Sequence, residues 1–134
     1  MNAKIIPVAG LVLLAALFFG FQQKAPAAKK GMIKVTILYP NGEGKKFDMD
    51  YYSTKHMPMV ASLLGDSMKM YEIDKGISGR TAADPIPYLA VGYLYFDRVS
   101  AYQNSFGPNR EKIVGDIPNY TNIQPVVLIS EVVR

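Results

Sequence analysis

Three observations predict an α+β domain of ferredoxin-like order, β-α-β-β-α-β, with a four-stranded antiparallel sheet and two helices on one face. Apolar residues alternate with a period of two over residues 32–39, then take helical spacing over residues 47–65. A strand–strand–helix–strand pattern follows between residues 68 and 133. The third and fourth strands are also apolar in both registers. Leu89, Val91 and Tyr93 form one row against Ala90, Leu94 and Phe96, and Val126 and Leu128 stand against Val127 and Ile129. Helices cover one face of such a sheet, so the other is left apolar and bare, as at an interface. A twofold homodimer that buries sheet against sheet is the simplest solution.

The first strand places Ile33, Val35, Ile37 and Tyr39 on one face, and Pro40-Asn41-Gly42-Glu43-Gly44 ends it. The Gly-Glu-Gly-Lys run superficially resembles a phosphate loop. No Ser or Thr follows the lysine and Glu43 repels phosphate, which excludes that reading. The first helix opens at Asp48, a good N-cap, and closes at Gly65, which takes the left-handed conformation without strain. Between them Tyr52, His56, Met59, Val60 and Leu63 recur on one apolar face. Pro58 removes a backbone donor and crowds the preceding turn, so the helix is expected to bend beside His56 and free the Thr54 carbonyl.

Residues 68–73 read as a weaker second strand, 76–87 as a loop, and 88–96 as a strong third strand. Asp97 is the expected cap of a short helix through Phe106, stopped by Gly107-Pro108, with a further turn or two from Asn109 to Val114. Residues 116–122 form a polar, proline-bearing connector, and residues 123–133 the fourth strand.

The chain has 134 residues, room for one domain, and no cysteine, so disulfides, thiolate nucleophiles and Cys-bound clusters are excluded. Its net charge of +4 belongs to the N-terminal segment: from Met32 onward 11 basic residues balance 11 acidic ones. A neutral domain gives no reason to expect nucleic acid as partner. The apolar run over residues 5–21 follows Lys4, and Ala25-Pro26-Ala27 offers small residues for signal cleavage. The expected organisation is a signal peptide over residues 1–27, a short flexible tether over 28–31 and the folded domain over 32–134. The chain is thus expected to be secreted or periplasmic, or else anchored in a membrane by residues 5–21.

The segment Phe47-x-x-x-Tyr51-Tyr52-x-x-x-His56-x-Pro58 resembles the signature helix of the EthD family. Phe96-Asp97 and the Asp-Ile-Pro-Asn-Tyr-Thr-Asn connector are similar to that family as well, and the likeness spans residues 32–134. The resemblance implies a dimeric α+β barrel, in which ferredoxin-like protomers pair their sheets. It implies a reductase label and an association with oxidative breakdown of fuel ethers, while the leader departs from the family's usual cytosolic context. Related barrels include cofactor-free oxygenases and haem binders, so the cofactor stays open, haem included.

His56, the only histidine, has two readings: a core residue bonded to the sheet or to the freed carbonyl, or a group that touches a ligand. The resemblance favours the second. On such a face desolvation favours the neutral imidazole, able to accept and to donate a proton. Tyr52, one turn earlier, supplies a phenol or simply packs. Tyr51, on a more exposed face with Lys55, Tyr120 and Asn122 are the candidate ligand-binding residues; their other readings are plain surface for Tyr51 and a structural loop for Tyr120 and Asn122. Asp48 and Asp50 are a capping pair, and no metal site is expected. Two functions follow. One is an oxidoreductase or monooxygenase-like enzyme acting on a small apolar or aromatic molecule between the first helix and the sheet, with His56 and Tyr52 catalytic. The other is a non-catalytic dimer that binds such a molecule in support of an oxidative pathway. No dinucleotide fingerprint and no flavin or metal motif accompanies either.

Overall fold

The computed structural model describes residues 26–134, and the apolar run of the leader, residues 5–21, lies outside the described residues. Four strands, β1 (Ile33–Pro40), β2 (Met68–Lys75), β3 (Tyr88–Phe96) and β4 (Val126–Glu131), form one antiparallel sheet in the order β2-β3-β1-β4. The first helical stretch consists of α1 (Met49–Tyr51), a π turn (Tyr52–His56) and α2 (Met57–Leu64), and it packs beside α3 (Val99–Gly115). The architecture is the α+β, ferredoxin-like one that the strand and helix order predicts.

Cross-strand partners fix which side chains share a face. Val35 stands between Leu94 and Ile129, and Ile37 between Gly92 and Val127, on the helix side. Leu38 stands between Val91 and Val126, and Thr36 between Tyr93 and Leu128, on the other. The core lies on the helix side, where Val35, Tyr39, Tyr52, Met57 and Phe96 are sealed from solvent. The helices stop short of β4, whose Val126, Val127, Leu128 and Ile129 are 43 to 55 % exposed. Apolar side chains therefore stand bare on both faces of this edge, whereas the β2 edge carries Lys69, Glu72, Asp74 and Lys75.

Several expectations need correction. Gly107-Pro108 does not stop the second helix, which runs unbroken from Val99 to Gly115 with Pro108 inside it. Pro108 removes the bond to the Asn104 carbonyl, and the helix is held beside it by the Asn109 side chain, which donates to the Ser105 carbonyl at 2.8 Å and to the Leu63 carbonyl at 3.3 Å, tying α3 to the end of α2. Arg98, not Asp97, occupies the cap position, without a side-chain bond. The fourth strand starts at Val126, not Ile123, because Pro125 has no N–H to give the ladder. Residues just before β1 are tied down, with the Gly31 N–H donating to Val132 O at 2.7 Å.

The buried face of the first helical stretch also differs. Tyr52, His56, Met57, Val60 and Leu64 are buried, while Met59 and Leu63 are half-buried. The cause is the π turn, where the Met57 N–H reaches back to Tyr52 O. One extra residue per turn advances the phase, so later positions rotate around the axis. It also answers Pro58, which sits in the first turn of α2, where its missing donor matters least.

Candidate active site beneath the first helix

The chain brings the site together by stitching its connector to the segment before the first helix. Phe47 bridges Thr121, and the Asp48 N–H donates to Tyr120 O at 2.7 Å. Thr121 Oγ1 donates to Lys46 O at 2.6 Å. Asn122 Oδ1 accepts from the Lys46 N–H and its Nδ2 donates to Gly44 O, each at 2.9 Å. Asp48 meanwhile caps the helix, accepting from the Tyr51 N–H at 2.9 Å. Those bonds hold Tyr120 inward, and the short turn Ile117–Asn119 brings Asp116 against the helix.

Asp116 is the hub. Its Oδ2 accepts from His56 Nδ1 at 2.8 Å, and its Oδ1 accepts from the Tyr51 hydroxyl at 2.8 Å and from Asn119 Nδ2 at 2.9 Å. Partial burial pushes the carboxyl up, and the bonds from Asn119, His56 and Tyr51 more than reverse this, holding it below the usual carboxylate range. An ionised carboxylate only accepts, so Nδ1 of His56 carries the hydrogen and Nε2 presents its lone pair. Burial lowers the His56 midpoint against the opposing pull of Asp116, so the ring is neutral at pH 7.

Nε2 faces the Tyr120 hydroxyl at 3.4 Å, and that hydroxyl meets the Tyr39 hydroxyl at 2.8 Å. Burial pushes the Tyr39, Tyr52 and Tyr120 phenols well up, so all three keep their protons. Tyr52 stacks on His56 with ring centroids 5.5 Å apart. Its hydroxyl occupies the space over Gly92, where any larger residue on β3 would collide with it. Glycine at 92 is thus part of the site.

Beside these groups lies a cavity of about 110 Å³. Val35, Ile37, Val60 and Leu94 supply its apolar walls, and Tyr39, His56 and Tyr120 form one polar side. Exposed Val114 and Val127 stand at its rim, so it reaches the surface between α3 and β4. An apolar cavity of roughly 150 Å³ holds benzene. At about 110 Å³ this one is smaller, so it takes a short chain or branched group, or a single ring that extends into the open rim.

Of the residues singled out in the sequence, His56, Tyr52 and Tyr120 line the cavity together. Tyr51 does not line it, but holds Asp116 from the outside. Asn122 lies apart, in a separate outer cleft with Lys46, Pro118, Tyr120 and Thr121, its amide used up by backbone bonds. Asp116, Asn119 and Tyr39 were not anticipated. Asp116 lies 60 positions from His56, and only its place in a polar connector distinguishes it. Among the described residues no group of three or more His, Cys, Asp and Glu side chains is placed to hold a metal ion.

The sequence profile of the EthD domain matches residues 41–124, which takes in α1, the π turn, Asp116 and Tyr120. No curated protein matches the chain. Among solved structures, an EthD-like protein of Ralstonia eutropha is 40 % identical, with a TM-score of 0.75 over 79 % of this chain and 96 % of its own. A protein of Arabidopsis thaliana shares the fold at 13 % identity and a TM-score of 0.54, covering 74 % of this chain and 93 % of its own. An ethyl tert-butyl ether D (EthD) family protein of Bacillus halodurans is 17 % identical, with a TM-score of 0.49 over 75 % of this chain and 97 % of its own. By the profile that spans its site, and by that 40 % likeness, the chain belongs to the EthD family.

Proposed function

We propose that the chain binds a small apolar or aromatic molecule in the cavity beneath the first helix and acts on it by proton transfer through His56. The observation that carries this reading is an imidazole held through Nδ1 by Asp116 at 2.8 Å, on the wall of a largely apolar cavity, with Nε2 and the Tyr120 hydroxyl 3.4 Å apart. A carboxylate behind one ring nitrogen sets the tautomer and orients the other toward its substrate, the arrangement general-base catalysis needs. An oxidoreductase or monooxygenase-like role rests on the same step. With dioxygen as oxidant, the electron pair of the broken C–H bond enters a new C–O bond, and the proton returns to the terminal oxygen of the hydroperoxide.

A second copy covers the far face of the sheet in this reading, since Leu38, Val91, Val126 and Leu128 form an apolar surface that the helices leave open. Export from the cytoplasm is the location that the leader supports. Fluorine NMR titration with para-fluorotoluene tests the pocket. Saturable binding is expected in the wild type, with a bound resonance that moves in His56→Gln. Absence of binding, or a bound resonance identical in His56→Gln, overturns the reading.

A further inference from the structure

The base and the nearest hydroxyl sit side by side, and their hydrogens can be counted. The Nδ1 hydrogen of His56 is committed to Asp116, so Nε2 is an acceptor with one lone pair. Tyr39 and Tyr120 bring two hydroxyl hydrogens between them, and their mutual bond at 2.8 Å uses one. Since Nε2 can only accept, the Tyr120 hydrogen is the one that points toward it, and Tyr39 is then the donor in the 2.8 Å bond. Within the cavity that hydrogen has Nε2 as its partner at 3.4 Å, well beyond the usual O–H···N length. A ligand oxygen placed over Tyr120 offers a shorter bond, and accepting it frees the Nε2 lone pair at the same moment.

Acid and base are thus neighbours on one wall, with apolar residues on the other walls. Adjacent groups of this kind match a substrate whose basic oxygen and acidic hydrogen are also neighbours. We propose that the ligand is a small enolisable carbonyl compound, a cyclic or branched ketone of about one ring's bulk, whose oxygen accepts from Tyr120 while His56 Nε2 removes a proton from the adjacent carbon. This inference rests on the proton-transfer reading above and names its substrate class. The C–H bond breaks, its electrons form the C=C bond, and the carbonyl π pair moves to oxygen. The proton rides on Nε2, and the resulting enolate oxygen is held by Tyr120, itself steadied by Tyr39. Reversal returns a proton to carbon, so no oxidant or cofactor enters the balance. The division of labour agrees with the environment: an imidazole kept neutral and phenols kept protonated are a base and an acid at the same pH. Asp116, Tyr51 and Asn119 are positioning residues, acting through the imidazole they hold.

Cyclohexanone in deuterium oxide is the probe, with loss of its α-proton signals followed by NMR. The wild type is expected to exchange them saturably above the buffer rate. Tyr120→Phe and His56→Gln are each expected to lower the enzyme-dependent rate at least ~100-fold. The rate should fall with acidity as Nε2 is protonated. If Tyr120→Phe does not fold, para-fluorophenol supplies the same comparison in the wild type, binding about tenfold tighter than para-fluorotoluene through the one added hydrogen bond. Cyclohexanone exchange at the buffer rate, exchange that survives Tyr120→Phe, or equal affinity for the phenol and the toluene overturns the inference. Binding of para-fluorotoluene alone, sensing His56, would leave the pocket reading standing without the enolisation.

Discussion

Tyr39, Phe47, Tyr52 and Tyr120 pack mostly edge to face, and Phe96, Tyr102 and Phe106 form a second set of tilted and stacked rings. Centroid separations run from 4.7 to 6.0 Å in the first cluster and are 5.3 and 5.2 Å in the second. As packing the two are alike, each a set of rings burying large apolar areas at ordinary aromatic geometry. They differ in what their oxygens do. In the first, Tyr39 and Tyr120 join His56 and Asp116 in one hydrogen-bonded chain, while in the second Tyr102 takes no part in it. Both clusters reach the cavity, the second through Tyr102 and Phe106, and the connector over residues 116–122, stitched to the strand–helix turn, gives only the first its hydrogen-bonded chain. Substitutions that hit packing and substitutions that hit the chain should therefore separate cleanly.

Phe96→Ala should have the largest effect on stability. The side chain is fully buried between β3 and α3, and truncating such a ring leaves a cavity worth about 3–5 kcal/mol. Chemical denaturation would read the loss, and the folded fraction should keep the wild-type His56 titration. A shifted histidine in that variant would mean that the two clusters are coupled, against the separation argued above. Gly92→Ala comes next, at about 1–3 kcal/mol, because the new methyl meets the Tyr52 hydroxyl and that ring must move. Tyr52 stacks on His56, so here the imidazole resonances should shift with the stability. An unchanged histidine spectrum would remove Gly92 from the site.

The strands and the helix order were legible because each strand's apolar period is local, and the doubly apolar β3 and β4 exposed the bare face before any contact was known. Tyr52 and His56 were legible as one face for the same reason, being one turn apart. Met57 and Leu64 were not, since a π turn adds a residue that no apolar period announces. The hub Asp116 was illegible for a different reason. Its importance comes from a contact across 60 positions, and in its own neighbourhood it is one polar residue of a proline-bearing turn. Tyr39 was hidden by its own pattern: alternation on β1 explains the ring fully and says nothing of the hydroxyl. The break expected at Gly107-Pro108 did not occur, and the Asn109 side chain ties the helix there to Leu63 of α2, a contact visible only in three dimensions.

Asp116→Asn tests the chain at its outer end, and the chain's single histidine makes the readout direct. The carboxylate raises the His56 midpoint against burial, so removing its charge should move the midpoint further down, by NMR titration. Weaker bonds to His56, Tyr51 and Asn119 should also lower stability by roughly 1–2 kcal/mol. The pH dependence has a definite sign. An imidazole kept neutral by the fold takes a proton more readily once unfolded, so stability is full above roughly pH 6.5 and falls as acidity increases through that value. A depressed carboxyl adds a further loss as pH drops below its ordinary value of roughly 3.9. The variant should lose that last contribution and extend the histidine-linked loss to lower pH. A midpoint that rises in Asp116→Asn would show that the carboxylate does not hold the ring.

The smallest effects come from paired deletions of one oxygen, and they sharpen the comparison most. Tyr39→Phe and Tyr102→Phe each keep a ring and remove a hydroxyl, so both leave aromatic packing in place. Loss of the Tyr39 hydroxyl leaves the buried Tyr120 oxygen without its 2.8 Å partner, a loss of about 1 kcal/mol. It also removes the bond that steers the Tyr120 hydrogen toward the cavity, so the His56 resonance should move although Tyr39 does not touch the imidazole. Tyr102→Phe breaks nothing in that chain and should change stability by less than about 0.5 kcal/mol, with His56 unmoved. The quantity to compare is the difference between the variants in histidine shift, measured at one pH with stability controlled by denaturation. Equal shifts would mean that the imidazole senses ring packing alone, and the chain of oxygens would then be a by-product of burying tyrosines.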